Sequence, residues 1–113
     1  GMELARVIYK ATKHFPSDER FGLTNQLRRA AVSIPSNITE GKGRLTTGEF
    51  IQFLGIARGS TLEVQTQLEH ASSLGFGNPA TLAEAQSIAG DELRILNASI
   101  ATLRAKQAAK KSH

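Results

Sequence analysis

The sequence predicts an all-α protein, an antiparallel up-and-down four-helix bundle, and three observations carry that prediction. Apolar residues recur every three or four positions along almost the whole chain, and no stretch alternates apolar with polar residues long enough to make a strand. Clusters of proline, glycine and small polar residues divide this pattern into four segments. The 113 residues suffice for one core that removes roughly two thirds of the unfolded surface from water. Short connections then make sequential helices antiparallel neighbours.

The first helix is predicted over Met2 to His14, with Leu4, Val7, Ile8 and Ala11 at helical spacing, and the turn Phe15-Pro16-Ser17-Asp18 stops it. The second carries Leu23, Leu27, Ala30, Ala31, Ile34 and Ile38 on one stripe, with Thr24, Ser17 or Asp18 as candidate caps and Gly41 and Gly43 marking its end. Pro35 lies inside it. Proline removes an amide donor and crowds the carbonyl four residues earlier, a cost of about 3 kcal/mol, yet Ile34 and Ile38 keep the apolar spacing across it. The expectation is a kinked but continuous helix to about Gly41, with Ser36 or Asn37 helping to satisfy displaced backbone groups.

Thr46 and Glu49 form a capping box at the start of a third helix that runs to about Leu74, where Gly75 supplies a left-handed stop. Asn78-Pro79, or alternatively Thr81 with Glu84, opens the fourth, which carries Leu82, Ala89, Leu93, Leu96, Ile100 and Leu103. The bundle is thus expected over 1–105. Residues 106–113 have no large apolar side chain and read as a frayed basic tail.

Several function classes drop out on composition. There is no cysteine, which excludes disulfides and thiolate chemistry, and His14, His70 and His113 have no metal-ligand neighbours at helical spacing, so neither a metal site nor a cofactor is expected. No apolar run approaches the roughly 18 residues of a membrane span, and no signal peptide is visible, so the chain reads as soluble, cytoplasmic and without a membrane partner. The leading Gly1 before Met2 reads as a cloning scar. Gly41-Lys42-Gly43-Arg44 lacks Walker spacing, and no serine stands in a nucleophile elbow. The chain is read as a non-enzyme.

The net charge of +4 is unevenly spread: eight Lys/Arg against four Asp/Glu in residues 1–45, two against six in 46–100, four against none in 101–113. Arg28 and Arg29 fall beside and opposite the second helix's apolar stripe, while Lys42 and Arg44 lie in a glycine-rich turn whose amides can also face an anion. Together they are the candidate phosphate contacts, which would neutralise charge with little sequence readout. A solvated face with a few salt bridges is the competing reading. Glu40 has Arg58, Arg44 and Arg29 as candidate cationic partners, and a structural Glu40–Arg58 ion pair is expected rather than a catalytic base.

Val32, Ile51 and Leu62 lie off the main apolar stripes, and Gly55 and Gly59 sit near that second face of the third helix. Each glycine costs about 1 kcal/mol in a helix interior, a penalty offset where another backbone packs closely. These five positions are the candidate subunit interface, with a broad core-facing stripe as the alternative.

The residues RFGLTNQLRRAAVSIPSNITEGKGR, followed by GEFIQFLGIARGSTLEVQTQLEHASSLG, resemble the four-helix-bundle family of 23S rRNA intervening-sequence proteins, whose fold group includes the accessory variability proteins of diversity-generating retroelements. The resemblance spans about residues 2 to 105. Thr39 stands where the family usually has Ala in NIAEG, and the chain opens at MELARVIY without the family's usual preceding segment of the first helix. The resemblance implies a ring-like homopentamer with no established enzymatic activity, encoded in bacterial 23S rRNA intervening sequences or beside a reverse transcriptase. Its retroelement branch is associated with nucleic acid and with the reverse transcriptase through a basic surface. By the family pattern the matching positions are Arg28, Arg29, Arg44 and Arg58, which serve either nucleic acid or a neighbouring subunit. The sequence reading is therefore a homo-oligomeric bundle that binds RNA or DNA through phosphates, with a protein-interaction scaffold as its alternative.

Overall fold

A computed structural model describes residues 1–111; the last two positions of the basic tail, His113 among them, lie outside the described residues. Four helices, α1 (Met2–Thr12), α2 (Leu23–Lys42), α3 (Thr47–Ser73) and α4 (Pro79–Lys111), are joined by short turns, the first of which contains a single 3-10 turn at Ser17–Glu19. Each packs on its sequence neighbour and α1 closes the ring against α4, giving an up-and-down bundle of 56 × 21 × 18 Å. None of the described helices is long and apolar enough to cross a membrane.

The core follows the predicted stripes, with Leu4, Ile8, Leu27, Ile34, Val64, Leu68 and Leu96 fully buried. Buried alanines, Ala31 and Ala57 among them, thin the helices where they approach. Antiparallel register is fixed by polar pairs. Ser33 Oγ meets Ser60 Oγ at 3.0 Å and Gln67 Nε2 donates to Gln26 Oε1 between α2 and α3, while Gln86 Nε2 donates to the Gln65 carbonyl and Arg58 Nε to Asn97 Oδ1 between α3 and α4.

The helix α2 continues through Pro35, with Ile34 buried and Ile38 packed on the core. Asn37 Nδ2 donates to the Ser33 carbonyl at 2.8 Å and to Ser33 Oγ at 2.9 Å. The carbonyl that proline orphans is that of Ala31, so Asn37 braces the turn beside it rather than replacing the lost bond. Gly41 does not end the helix. It is buried within it, and a methyl there would lie 2.9 Å from both Phe50 Cδ1 and Phe53 Cβ. The actual cap is Gly43, whose amide donates to the Thr39 and Glu40 carbonyls.

Thr46 caps α3 by accepting from the Glu49 amide at 3.1 Å; Glu49 returns its carboxylate to the Thr46 hydroxyl rather than to the Thr46 amide. At the far end Gly75, at φ +73°, makes a Schellman stop, with the Phe76 amide on the Ala71 carbonyl and the Gly75 amide on that of Ser72. Of the two possible starts for α4, Asn78-Pro79 is used: Asn78 Oδ1 accepts from the Ala80 and Thr81 amides.

Two boundaries differ from the sequence expectation. The helix α1 stops at Thr12, two residues early, where the Thr12 hydroxyl turns back onto the Ile8 carbonyl. The expected frayed tail is instead helical as far as Lys111. Alanines at 105, 108 and 109 and straight-chain Lys and Gln residues all favour helix, and Gln107 lies beside Gly48 of α3.

Candidate nucleic-acid interface

The four predicted phosphate contacts come from the two ends of one helix. Fourteen residues separate Arg28 from Lys42, about 21 Å along the axis, so α2 does not gather them into one patch. Their surroundings also differ.

Arg28 is turned inward. Its Nε donates to Thr12 Oγ1 at 2.8 Å, and its guanidinium lies over the Tyr9 ring at 4.6 Å, so it ties α2 to α1. Arg29 is about 100° further round the helix and exposed, with no ion pair or side-chain hydrogen bond among the described residues. Arg44 is held on three sides: it donates to Glu40 Oε1 at 2.7 Å, approaches Glu49 Oε2 at 3.9 Å, and stacks on Phe53 at 4.6 Å. Lys42 is exposed at the end of α2 and carries no ion pair among the described residues. Of the four, Arg29 and Lys42 thus keep their charge free for a partner.

The expected Glu40–Arg58 pair is replaced by Glu40–Arg44, one helical turn apart. Register explains the exchange. Ser33 opposite Ser60 and Gln26 opposite Gln67 place Glu40 level with Phe53, about 7 Å along the axis from Arg58. Arg58 meanwhile points to α4, where it reaches Asn97 Oδ1 at 2.6 Å.

The five candidate interface positions occupy different surroundings. Gly55 and Gly59 are exposed, and a methyl at either would meet nothing within 4 Å. Leu62 and Ile56, the latter not anticipated from sequence, are exposed near them at 37% and 46%. Ile51 packs against the core instead, lying only about 60° from buried Leu54. Val32 is exposed on the other side of α2, bordering a groove with Met2, Ala5 and Tyr9 of α1.

Ser33 and Ser60 are residues to which the sequence reading gave no interhelical role. The contacts show that much of the RRAAVSIPSNITEGKGR and ARGS stretches joins helices: Arg28 to α1, Ser33 and Gly41 to α3, and Arg58 to α4. No sequence signal marks these serines, because only the register decides which polar pair meets. Among the described residues no group of three or more His, Asp or Glu side chains converges as a metal site requires.

Fold and surface together define a helical bundle whose motif residues serve largely as interhelical ties, with separate cations left at the surface. The sequence profile of the family described as 23S rRNA-intervening sequence protein matches residues 1–98, and the chain belongs to that family. Among solved structures, the 1.70 Å crystal structure of a protein of unknown function from the S23 ribosomal protein family of Bacteroides thetaiotaomicron is similar with a TM-score of 0.80. It is 22% identical, over 88% of this chain and 93% of that one, a likeness that bears on the fold. No curated protein matches the chain.

Proposed function

We propose that this chain is a non-enzymatic, homo-oligomeric bundle that binds RNA or DNA through phosphate contacts in the cytoplasm, in the setting of 23S rRNA intervening sequences or a related ribonucleoprotein. The observation that carries the reading is the surplus of exposed basic side chains that make no ion pair among the described residues, typified by Lys42 and Lys106, on a member of the 23S rRNA-intervening sequence family. Lysine and arginine without converging amide or aromatic groups favour backbone neutralisation over base readout. The oligomer, a homopentamer in this proposal, would use the glycine-bearing outer face of α3.

The test is fluorescence anisotropy with a labelled structured RNA and a DNA duplex. The proposal expects binding at about 50 mM salt that falls linearly in log affinity against log salt and is largely lost by about 200 mM. No detectable binding at the lower salt refutes it.

A second reading, a scaffold whose partner is a protein such as a reverse transcriptase, is favoured by one observation: Arg28 and Arg44 are already engaged within the chain. It expects negligible nucleic-acid affinity together with an oligomer, in sedimentation, that dissociates on Gly59→Glu substitution.

A further inference from the structure

The register that sets Arg58 beside Asn97 and Gly48 beside Gln107 continues past the start of α3. Residues opposite one another on this part of α3 and α4 sum to about 155, so Lys106 stands level with Glu49, and Lys110 and Lys111 project past the start of α3 at Thr47. The last two turns of α4 therefore lie beside the α2–α3 turn, at one end of the bundle.

The charge at that end is lopsided. Residues 40–49 and 104–111 hold six basic residues, Lys42, Arg44, Arg104, Lys106, Lys110 and Lys111, against Glu40 and Glu49. Everything else in the chain holds eight basic and eight acidic residues, so the whole net charge of +4 belongs to this pole. Both carboxylates are turned to Arg44, and among the described residues the lysines of this pole have no ion pair. At the opposite end, Lys10, Lys13, Arg20, Arg28 and Arg29 are matched in number by Asp18, Glu19, Glu63, Glu69 and Glu84.

The seam of α4 changes character at the same level. Leu96 and Ile100 are buried and Leu103 is half-buried, but their successors at the same spacing are Gln107 and Lys110. Lys106, Lys110 and Lys111, at or beyond this point, are exposed. Lys106 and Lys110, one turn apart on a helix, are separated by about 6 Å along its axis, close to two nucleotides of rise on one strand at about 3.4 Å each.

We infer that this pole, formed by Lys42 in the α2–α3 turn and Lys106, Lys110 and Lys111 on the end of α4, is the surface that engages the phosphodiester backbone, and that Arg28 and Arg29 are not. The inference rests on the nucleic-acid reading above and assigns its location. Long, exposed lysine side chains meet phosphate as point charges and so fit a backbone partner of either nucleic acid.

The test titrates labelled structured RNA against the full chain, its Lys106→Ala/Lys110→Ala/Lys111→Ala variant and its Arg29→Ala variant, with sedimentation confirming an unchanged assembly. The triple variant is expected to bind at least tenfold more weakly, with a salt slope lower by about two to three. Arg29→Ala is expected to stay within twofold. An Arg29→Ala loss equal to or larger than that of the triple variant, with wild-type binding intact, overturns the location alone. A wild-type chain that ignores RNA and DNA overturns both location and function, as does binding confined to vesicles containing anionic lipid.

Discussion

The two ends of this bundle are built for different work. At one, where α1 meets α2 and α3 meets α4, Phe15 and Phe76 pack at 5.9 Å and Gly77 fits beneath the Phe15 ring. The charges there balance, and Arg28 is used to hold α1. At the other, a glycine-rich turn and the end of α4 carry the surplus charge, and most of it is exposed. Phe15, Phe76 and Arg28 at the first end are committed to packing, whereas Lys42, Lys106, Lys110 and Lys111 at the second are exposed.

Substitutions that disturb the closed end should have the largest effect on stability. Gly77 has φ +72°, and a methyl there would lie 2.9 Å from Phe15 Cε1, so Gly77→Ala combines backbone strain with overpacking and is expected to cost on the order of 3 kcal/mol in urea denaturation. At the basic end the largest cost is expected at Gly41→Ala, with 2.9 Å approaches to Phe50 and Phe53, about 2 kcal/mol by the same measurement. A cost below about 0.5 kcal/mol would mean that the rings step aside freely.

Arg28→Ala removes the bond to Thr12 and the stacking on Tyr9, and is expected to cost about 1 to 2 kcal/mol. If Arg28 served phosphate instead, stability would hold and nucleic-acid affinity would fall. Thr46→Ala deletes the cap of α3 and is expected to cost about 1 kcal/mol. Lys110→Ala should leave stability within about 0.5 kcal/mol, as for surface positions generally.

Much of the fold was legible because helical spacing survives in a small bundle: the four segments, the Thr46 cap, the Gly75 stop and the passage of α2 through Pro35 all follow from local rules. What local rules miss is register. Glu40 has three arginines within plausible sequence reach, and only the level of α2 against α3 gives it to Arg44 rather than Arg58. The same register turns a tail read as frayed into a helix lying beside the α2–α3 turn, bringing Lys42 and Lys110 to one pole although 68 residues separate them in sequence. Likewise Gly41 reads as a helix terminator until Phe50 and Phe53 are placed against it.

The lysines themselves offer the most direct measurement, since Lys10 and Lys13 lie at the closed end and Lys42, Lys106, Lys110 and Lys111 at the basic one. Acetylation of the intact assembly, read residue by residue by mass spectrometry with and without structured RNA, compares the two ends in one experiment. The account predicts protection of the four lysines at the basic pole and unchanged reactivity at Lys10 and Lys13. Protection confined to Lys10 and Lys13, or no protection at saturating RNA, would contradict it.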